Sequence, residues 1–425
     1  MTILLGAICA LAALYQLIAL FACLLFRSRK ENFPAYQPGV SVLKPVCGAD
    51  PEFYAAIRSH ASLEYPEFEL LFAVRDPNDP ALSSIERLRA EFPRITLRIV
   101  RVTTLAPNAK VAGLIDAFKH ARYPVIVVND SDITVPPDYL TRVVAPLGHS
   151  FRTGLVTCLY RATGRSFAAQ MEALGIATDF APGALVAPLV RVNEFALGST
   201  LAFRAVDLRT LGGFSTIADY LADDYQLGRL FSQAGYRIHL SRTVVETHLG
   251  GGEWADIWAH QLRWARTIRA SQGLGYLGLP ITNASLWAVL ACVNGWWWVG
   301  LSLIGIRYCS AFAAASALQA NFRLGALTPV RDLGGLAVWA AGLFGDSVKW
   351  RGARFRLTRT GGSTPLSRVR RASQLFPAGN CSANRIAFPI PHENGAALRL
   401  DGSAPVSHER GSEPKMHCQS ESPFH

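Results

Sequence analysis

Two short acidic signatures carry the chemistry open to this sequence. The first is Val125-Ile126-Val127-Val128-Asn129-Asp130-Ser131-Asp132, an apolar run ending in carboxylates at i and i+2. On an extended backbone those two side chains would point to opposite faces. A turn at the strand end can instead bring Asp130 and Asp132 toward one cation. A hard divalent ion such as Mg²⁺ or Mn²⁺ takes carboxylate oxygens, waters and substrate phosphates, and it can neutralise charge growing on a departing diphosphate. A polar turn in which an aspartate caps the next element has the same spacing. The second signature is Leu221-Ala222-Asp223-Asp224-Tyr225, which follows the Gly212-Gly213 pair. A carboxylate opening a helix is favoured by the helix dipole, so capping is one role for these acids. The other is general base: a hydroxyl nucleophile near neutral pH needs a positioned proton acceptor. One acid can cap while its neighbour does the chemistry.

A third feature lies at 254–272. Trp254, Trp258, Leu262, Ala265 and Ile268 fall near helical spacing, as do Arg263, Arg266 and Arg269. Tryptophans on one side and arginines on another suit a helix lying at a membrane interface. Packing on a protein core is the alternative, and the apolar run that starts soon after favours the interface. Arg263 can also pair with phosphate oxygens. Lys110 follows Pro107-Asn108-Ala109 and opens a helical pattern, where it either meets phosphates or covers surface. His239 and His248 read as structural.

These residues need a scaffold, and the chain between 38 and 250 supplies one. Strands are expected at 40–43, 68–74, 96–102 and 125–128, with helices at 56–63, 82–91 and 111–121. Strands alternating with helices predict parallel pairing in a doubly wound, Rossmann-like α/β sheet. Such sheets bind ligands beyond the carboxyl ends of their strands. That rule groups Lys44, Asp76 and Asp130, each placed just after an expected strand.

Composition points to a membrane. The 425 residues are 50% hydrophobic and 17% charged, against about a quarter charged in soluble domains. The run at 2–26 is unbroken and long enough to cross a hydrocarbon core of about 30 Å. Arg27, Arg29 and Lys30 follow it, which places the next domain in the cytosol. A cleaved signal peptide carries its charge before the apolar run, not after it. A second run covers 284–306 and ends at Arg307. Weaker runs at 308–320 and 333–345 are short for full spans. The basic run Lys349, Arg351, Arg354, Arg356 and Arg359 reads as cytosolic. Much of the net charge of +11 flanks apolar runs, and the basic stretches lack the interleaved aromatics of a nucleic-acid platform, so no nucleic-acid partner is expected. Eight cysteines without a CxxC pair indicate neither a zinc site nor a disulfide framework. The organisation is thus an anchor (1–30), a catalytic domain (31–252), an interfacial helix region (253–280), a membrane region (281–356) and an unstructured tail (357–425).

In order and spacing these pieces resemble inverting glycosyltransferases of the GT-A fold, and the ceramide glucosyltransferase family with its bacterial hopanoid-biosynthesis relatives in particular. The resemblance runs from about Val40 to Arg356. It rests on Ser41-Val42-Leu43-Lys44-Pro45-Val46, Val74-Arg75-Asp76, Asn108-Ala109-Lys110-Val111 and Asp130-Ser131-Asp132. It continues through Gly198-Ser199-Thr200, Gly212-Gly213-Phe214, Asp223-Asp224-Tyr225 and Arg263-Trp264. The family pattern D, D, D, (Q/R)xxRW implies that Asp76 contacts the uracil or ribose of a UDP-sugar. Asp130 with Asp132 would bind metal and diphosphate, and Asp224 would be the base. Arg263 and Trp264 would lie by the donor phosphates and the acceptor channel. Lys44 and Lys110 join the donor-binding set. His260 stands where the pattern has Gln or Arg, with Gln261 one place late. The resemblance implies one in-line displacement of UDP by a membrane-lipid hydroxyl. Glucose onto ceramide and N-acetylglucosamine onto a hopanoid polyol are the two pairings. A processive polysaccharide synthase shares the acids, but too few strong spans follow the domain to build a pore.

Overall fold

In a computed structural model, which describes residues 2–350, 353–358 and 362–365, eight strands form one open sheet. They are β1 (Val40–Val46), β2 (Phe68–Val74), β3 (Thr96–Arg101), β4 (Val125–Val128), β5 (Ile133–Thr134), β6 (Thr153–Thr163), β7 (Leu201–Arg204) and β8 (Arg237–His248), in the order β3-β2-β1-β4-β7-β6-β8-β5. The first four are parallel, as their alternation with helices predicts. β7 then enters antiparallel between β4 and β6, so the second half of the sheet is mixed.

Apolar runs make this sheet because both its faces are covered. Val125 and Val127 pack on one side with Ile57, Ile85 and Leu140. Ile126 and Val128 pack on the other with Val111, Leu114, Phe203 and Phe231. Each such side chain removed from water contributes about 1.5–3 kcal/mol. The expected helices at 56–63, 82–91 and 111–121 appear as Phe53–Ala61, Ala81–Glu91 and Ala109–His120. β1 runs past its expected end at 43, because Lys44, Pro45 and Val46 stay in register with Phe72, Ala73 and Val74. Lys44 therefore sits inside the sheet, whereas Asp76 and Asp130 lie beyond strand ends.

Thr2–Ser28 forms one long apolar helix, and Trp297–Leu318 is a second helix able to cross a membrane by length and composition. The expected single span at 284–306 is corrected. It breaks into Ala284–Val293 and Trp297–Leu318 at Asn294-Gly295-Trp296, where Gly295 has φ +80°. The two pieces fold together closely: a Cβ on Gly300 would meet Cys292 Sγ at 2.3 Å and the Ala288 carbonyl at 2.8 Å. The run at 308–320 continues the second of these helices, and 333–345 falls largely in Thr328–Gly342, 15 residues long. Trp254–Thr282 and Ala284–Val293 form a bent pair, 50° apart, that makes a third span only if the pair crosses together.

An unforeseen short helix, Ala181–Leu189, packs on Thr2–Ser28; Ala184, Leu185 and Val186 share a cluster with Ala19, Ala22 and Phe26. Three last strands, β9 (Ser347–Trp350), β10 (Ala353–Leu357) and β11 (Ser363–Pro365), form a small antiparallel sheet. Val348, Phe355 and Leu357 bury against Leu221 and Ala270. Residues 363–365, inside the segment expected to be unstructured, pair with β10, and Ser363 donates to the Asp219 carbonyl. The rest of the expected tail, 359–361 and 366–425, lies outside the described residues.

Candidate active site

The sheet's carboxyl edge gathers Lys110, Asp130, Asp223 and Asp224. Asn108 caps the helix Ala109–His120, its Oδ1 accepting from the backbone of Lys110 and Val111, while its Nδ2 donates to the Tyr220 carbonyl at 2.8 Å. This one side chain ties the start of that helix to the loop that carries Asp223. Lys110 then reaches Asp130 Oδ1 at 2.8 Å and Asp223 Oδ2 at 2.9 Å. Burial opposes its charge, but Asp130, Asp223 and Asp224 outweigh that and hold it above the usual lysine range. Asp223 is thus an ion-pair partner, not a helix cap.

Asp224 is the acid left over. Its Oδ2 accepts from the backbone N–H of Gly198 at 2.8 Å and its Oδ1 from that of Tyr225 at 2.8 Å. Burial, then the charge of Asp223, pushes its carboxyl up to about 6, against the pull of Lys110. A carboxylate with that affinity is matched to taking a proton near neutral pH. Gly198 is where the acids converge. A Cβ there would lie 3.0 Å from Asp130 Oδ2, 3.2 Å from Asp224 Oδ2 and 3.4 Å from Lys110 Nζ. Only glycine leaves that space open.

Asp130 is 40% exposed at its side chain, so it faces the open edge. Asp132 accepts from Thr247 Oγ1 at 2.5 Å, and burial followed by the charge of Asp130 raises its carboxyl. The turn they share is braced from beneath. Lys44 Nζ donates to the Asp130 carbonyl at 3.0 Å and lies 3.4 Å from His60 Nε2. Asn129 Nδ2 donates to Tyr139 Oη at 2.8 Å and to the Ser199 carbonyl at 2.6 Å. Lys44 is fully buried, and burial pulls it down to about 7 against the charges of Asp132 and Asp130. His60 beside it is held down to about 3 by burial and by Lys44. Lys44, expected in the donor-binding set, lies inside the sheet and supports the acidic turn from beneath. Asp76 is exposed beyond β2, its Oδ1 accepting from Asn78 N at 2.9 Å. The buried aspartate of that loop is Asp79, which accepts from Gly48 N and Ala81 N, each at 2.9 Å.

Asp130 and Asp132 suit a hard divalent cation that keeps waters and takes diphosphate oxygens, an arrangement needing one or two protein carboxylates. No group of three histidine, cysteine or acidic side chains surrounds one point among the described residues.

Helix Trp254–Gln272 packs against the helices Phe167–Gly175 and Thr328–Gly342. It starts with a reciprocal cap between Glu253 and Asp256. Trp254 and Trp258 are exposed, and Arg266 donates to the carbonyls of Phe344 and Ser347. His260 Nδ1 lies 2.7 Å from Glu172 Oε1, which also accepts from Gln261 Nε2 at 2.8 Å. Glu172 side-chain exposure is 0%. The His260 ring packs on Trp264 at 4.7 Å, Trp264 on Phe180 at 6.1 Å, and Phe180 on Tyr160 at 5.3 Å. Arg263 is half-buried on the same helix. Sequence reasoning gave Gly198 no role of its own and did not single out Glu172, which holds His260 and Gln261. Glu172 had a signal: it is a lone acid in the apolar helix Phe167–Gly175, and buried charges are held by partners.

A mixed α/β sheet with these acids at its edge, beside helices long and apolar enough to cross a membrane, is the architecture of the GT-A glycosyltransferase fold. The fold is shared with a solved Pyrobaculum calidifontis mannosyltransferase, PcManGT, in complex with GDP-Man and Mn²⁺: TM-score 0.51 and 20% identity, covering 80% of this chain and 97% of that one. The chain belongs to glycosyl transferase family 21, whose sequence model matches residues 4–363. Ceramide glucosyltransferase 1 of Caenorhabditis elegans is 27% identical over 230 residues, 54% of this chain and 49% of that protein. The ceramide glucosyltransferase of Komagataella phaffii is 30% identical over 138 residues, 31% of this chain and 27% of that protein. The chain thus spans about half or less of the length of these curated relatives.

Proposed function

We propose that this protein transfers a hexose from a UDP-sugar to the hydroxyl of a membrane lipid, with inversion at the anomeric carbon. Ceramide with glucose is the pairing favoured by the likeness to ceramide glucosyltransferases. The observation that carries the reading is Asp224, its carboxyl raised to about 6 and fixed by the Gly198 N–H beside the open carboxylate of Asp130. In this reading Asp224 takes the proton of the acceptor hydroxyl as its oxygen attacks the anomeric carbon in line with the departing UDP. No covalent sugar intermediate forms. Lys110 steadies the acids and, with Arg263 and His260, the negative charge of the donor phosphates. Asp76 holds the nucleoside end. A Mg²⁺ or Mn²⁺ held by Asp130 and Asp132 would neutralise charge on the leaving diphosphate. Trp264 lies along the acceptor's path, and the exposed Trp254 and Trp258 seat the catalytic domain at the interface.

The chain is multi-pass in this reading, with the catalytic domain on the cytosolic side, where Arg27, Arg29 and Lys30 follow the first span. The test is incubation of detergent-solubilised protein with UDP-glucose and with UDP-N-acetylglucosamine, each against ceramide and a hopanoid polyol. Mass spectrometry of the lipid fraction reads the product. One glucose added to ceramide is expected. N-acetylglucosamine on the polyol would move both assignments, a ladder of sugars would point to a synthase, and no glycolipid would overturn the reading.

A further inference from the structure

We infer that the small sheet β9–β11 is a strap that positions the catalytic acids: Ser363 is a positioning residue that holds the loop before Asp223 and Asp224. The inference rests on Asp224 as the base in the reading above and adds the element that fixes it in place.

The segment 218–222 joins the turn Phe214–Ile217 to the helix Asp223–Gln233, whose first residues are the two acids. From within the catalytic domain Asn108 holds this segment at two points. Its Nδ2 donates to the Tyr220 carbonyl at 2.8 Å and its backbone N–H to the Ala218 carbonyl at 3.1 Å. Further holds come from 144 positions along the chain, where Ser363 gives both its donors to the Asp219 carbonyl, the backbone N–H at 2.8 Å and Oγ at 3.0 Å. Gly362 pairs antiparallel with Tyr220. Leu221 packs on Val348, Phe355 and Leu357. Asp219, Tyr220 and Leu221, in succession, thus each meet the strap just before the acids.

Strand periodicity explains the fit. Successive side chains on a strand face opposite ways. On β10, Phe355 and Leu357 share one face and are buried, whereas Arg354 and Arg356 share the other and are exposed. Val348 stands opposite Phe355, and Ser363 opposite Leu357, so both join the inward face. Ser363 is buried there. A buried hydroxyl is costly unless it is hydrogen-bonded, and Asp219 is its partner.

Helix Trp254–Gln272 holds the start of the strap. Arg266 donates to the carbonyls of Phe344 and Ser347 at 3.1 and 2.7 Å, and Arg269 to those of Leu343 and Gly345. Gly345 has φ +76°, and a Cβ there would lie 3.0 Å from Arg266 Nη2. Four carbonyls of one turn are thus fastened to the helix that also carries Arg263 and Trp264. The strap ties that helix to the acid loop. Among the described residues the two cores of the main sheet take no side chain from 347–365, so loosening the strap should reach the acids before it reaches the fold. A catalytic group misplaced by about 1 Å can cost on the order of 10²-fold in rate.

The experiment compares Ser363→Pro, Ser363→Ala and Ser363→Thr in the full chain in detergent. Proline removes both donors to Asp219, alanine removes one and threonine keeps both. Ser363→Pro should lower kcat for sugar transfer about tenfold, with the donor KM and the melting temperature unchanged. Ser363→Ala should lower it about threefold, and Ser363→Thr should stay within about twofold of wild type. Amide hydrogen exchange should quicken at 219–224 in Ser363→Pro and stay as in wild type across β1–β4. A kcat for Ser363→Pro within about twofold of wild type overturns the inference. So does a fall in melting temperature or UDP-sugar affinity that matches the loss of rate, because that is a structural role alone. Unchanged exchange at 219–224 overturns it even in a preparation that transfers to no lipid offered. Asp224→Asn, measured alongside, separates the two failures. Near-normal transfer in Asp224→Asn overturns the base assignment, whereas an inactive Asp224→Asn beside an unaffected Ser363→Pro overturns the strap alone.

Discussion

Two charged clusters in this protein are built to opposite ends. At the sheet edge, one ammonium, Lys110, serves three carboxylates, Asp130, Asp223 and Asp224. Between helices Trp297–Leu318 and Thr328–Gly342, Arg307 meets Asp332 two-pronged, at 2.8 and 2.7 Å, and gives its remaining arm to the Thr178 carbonyl. Ser285 Oγ completes Asp332 at 2.6 Å, and both ionic side chains are about 5% exposed or less. The second cluster is balanced and closed, and it clasps helix Trp297–Leu318 to Thr328–Gly342. The first has negative charge to spare and an open side. A balanced buried pair holds structure together, whereas surplus charge beside a cleft is a standing capacity to bind a cation or a proton.

The contrast is tested hardest by removing surplus charge. Asp130→Ala should lower sugar transfer on the order of 10³-fold, several kcal/mol of lost charge stabilisation, without lowering the melting temperature. Steady-state rates with circular dichroism check both halves. The Arg307–Asp332 cluster should respond in stability instead. Arg307→Met leaves Asp332 buried alone and should destabilise the fold by about 3–5 kcal/mol, whereas Arg307→Met with Asp332→Leu should recover most of that. Thermal unfolding in detergent reads it, and a stability drop equal in single and double variants would dissolve the distinction drawn here.

Gly198→Ala probes the point where the acids converge. The added methyl lies 3.0 Å from Asp130 Oδ2 and must move a carboxylate, so transfer should fall about tenfold or more. Smallest is the pH effect. Asp224 works as a base only when ionised, so the rate should fall as pH drops through about 6, tenfold per unit below it, and level off above. An Asp224→Asn protein should lose that limb from whatever rate remains.

Much of this was legible in the sequence where a pattern is local. Val125–Val128 reads as a strand because its alternate residues face two cores, and Asp130 follows it at the strand end. The helix Trp254–Gln272 was visible from its Trp and Arg spacing. What was hidden depends on pairing across the chain. Lys44 looked like a loop residue because the strand's extension to Val46 is fixed by β2, not by its own neighbours. Gly295 broke an apolar run that hydropathy alone read as continuous. Arg307 looked like the end of a span, since nothing near it in sequence announces Asp332. The pairing of Glu172 with His260 joins residues 88 apart.

The most direct test of the central claim is Asp224→Asn, measured for sugar transfer to lipid and for UDP-sugar affinity in the same preparation. The surplus-acid account predicts that transfer falls about 10²–10⁴-fold while affinity stays within a few-fold of wild type. Near-normal transfer in that variant would contradict it.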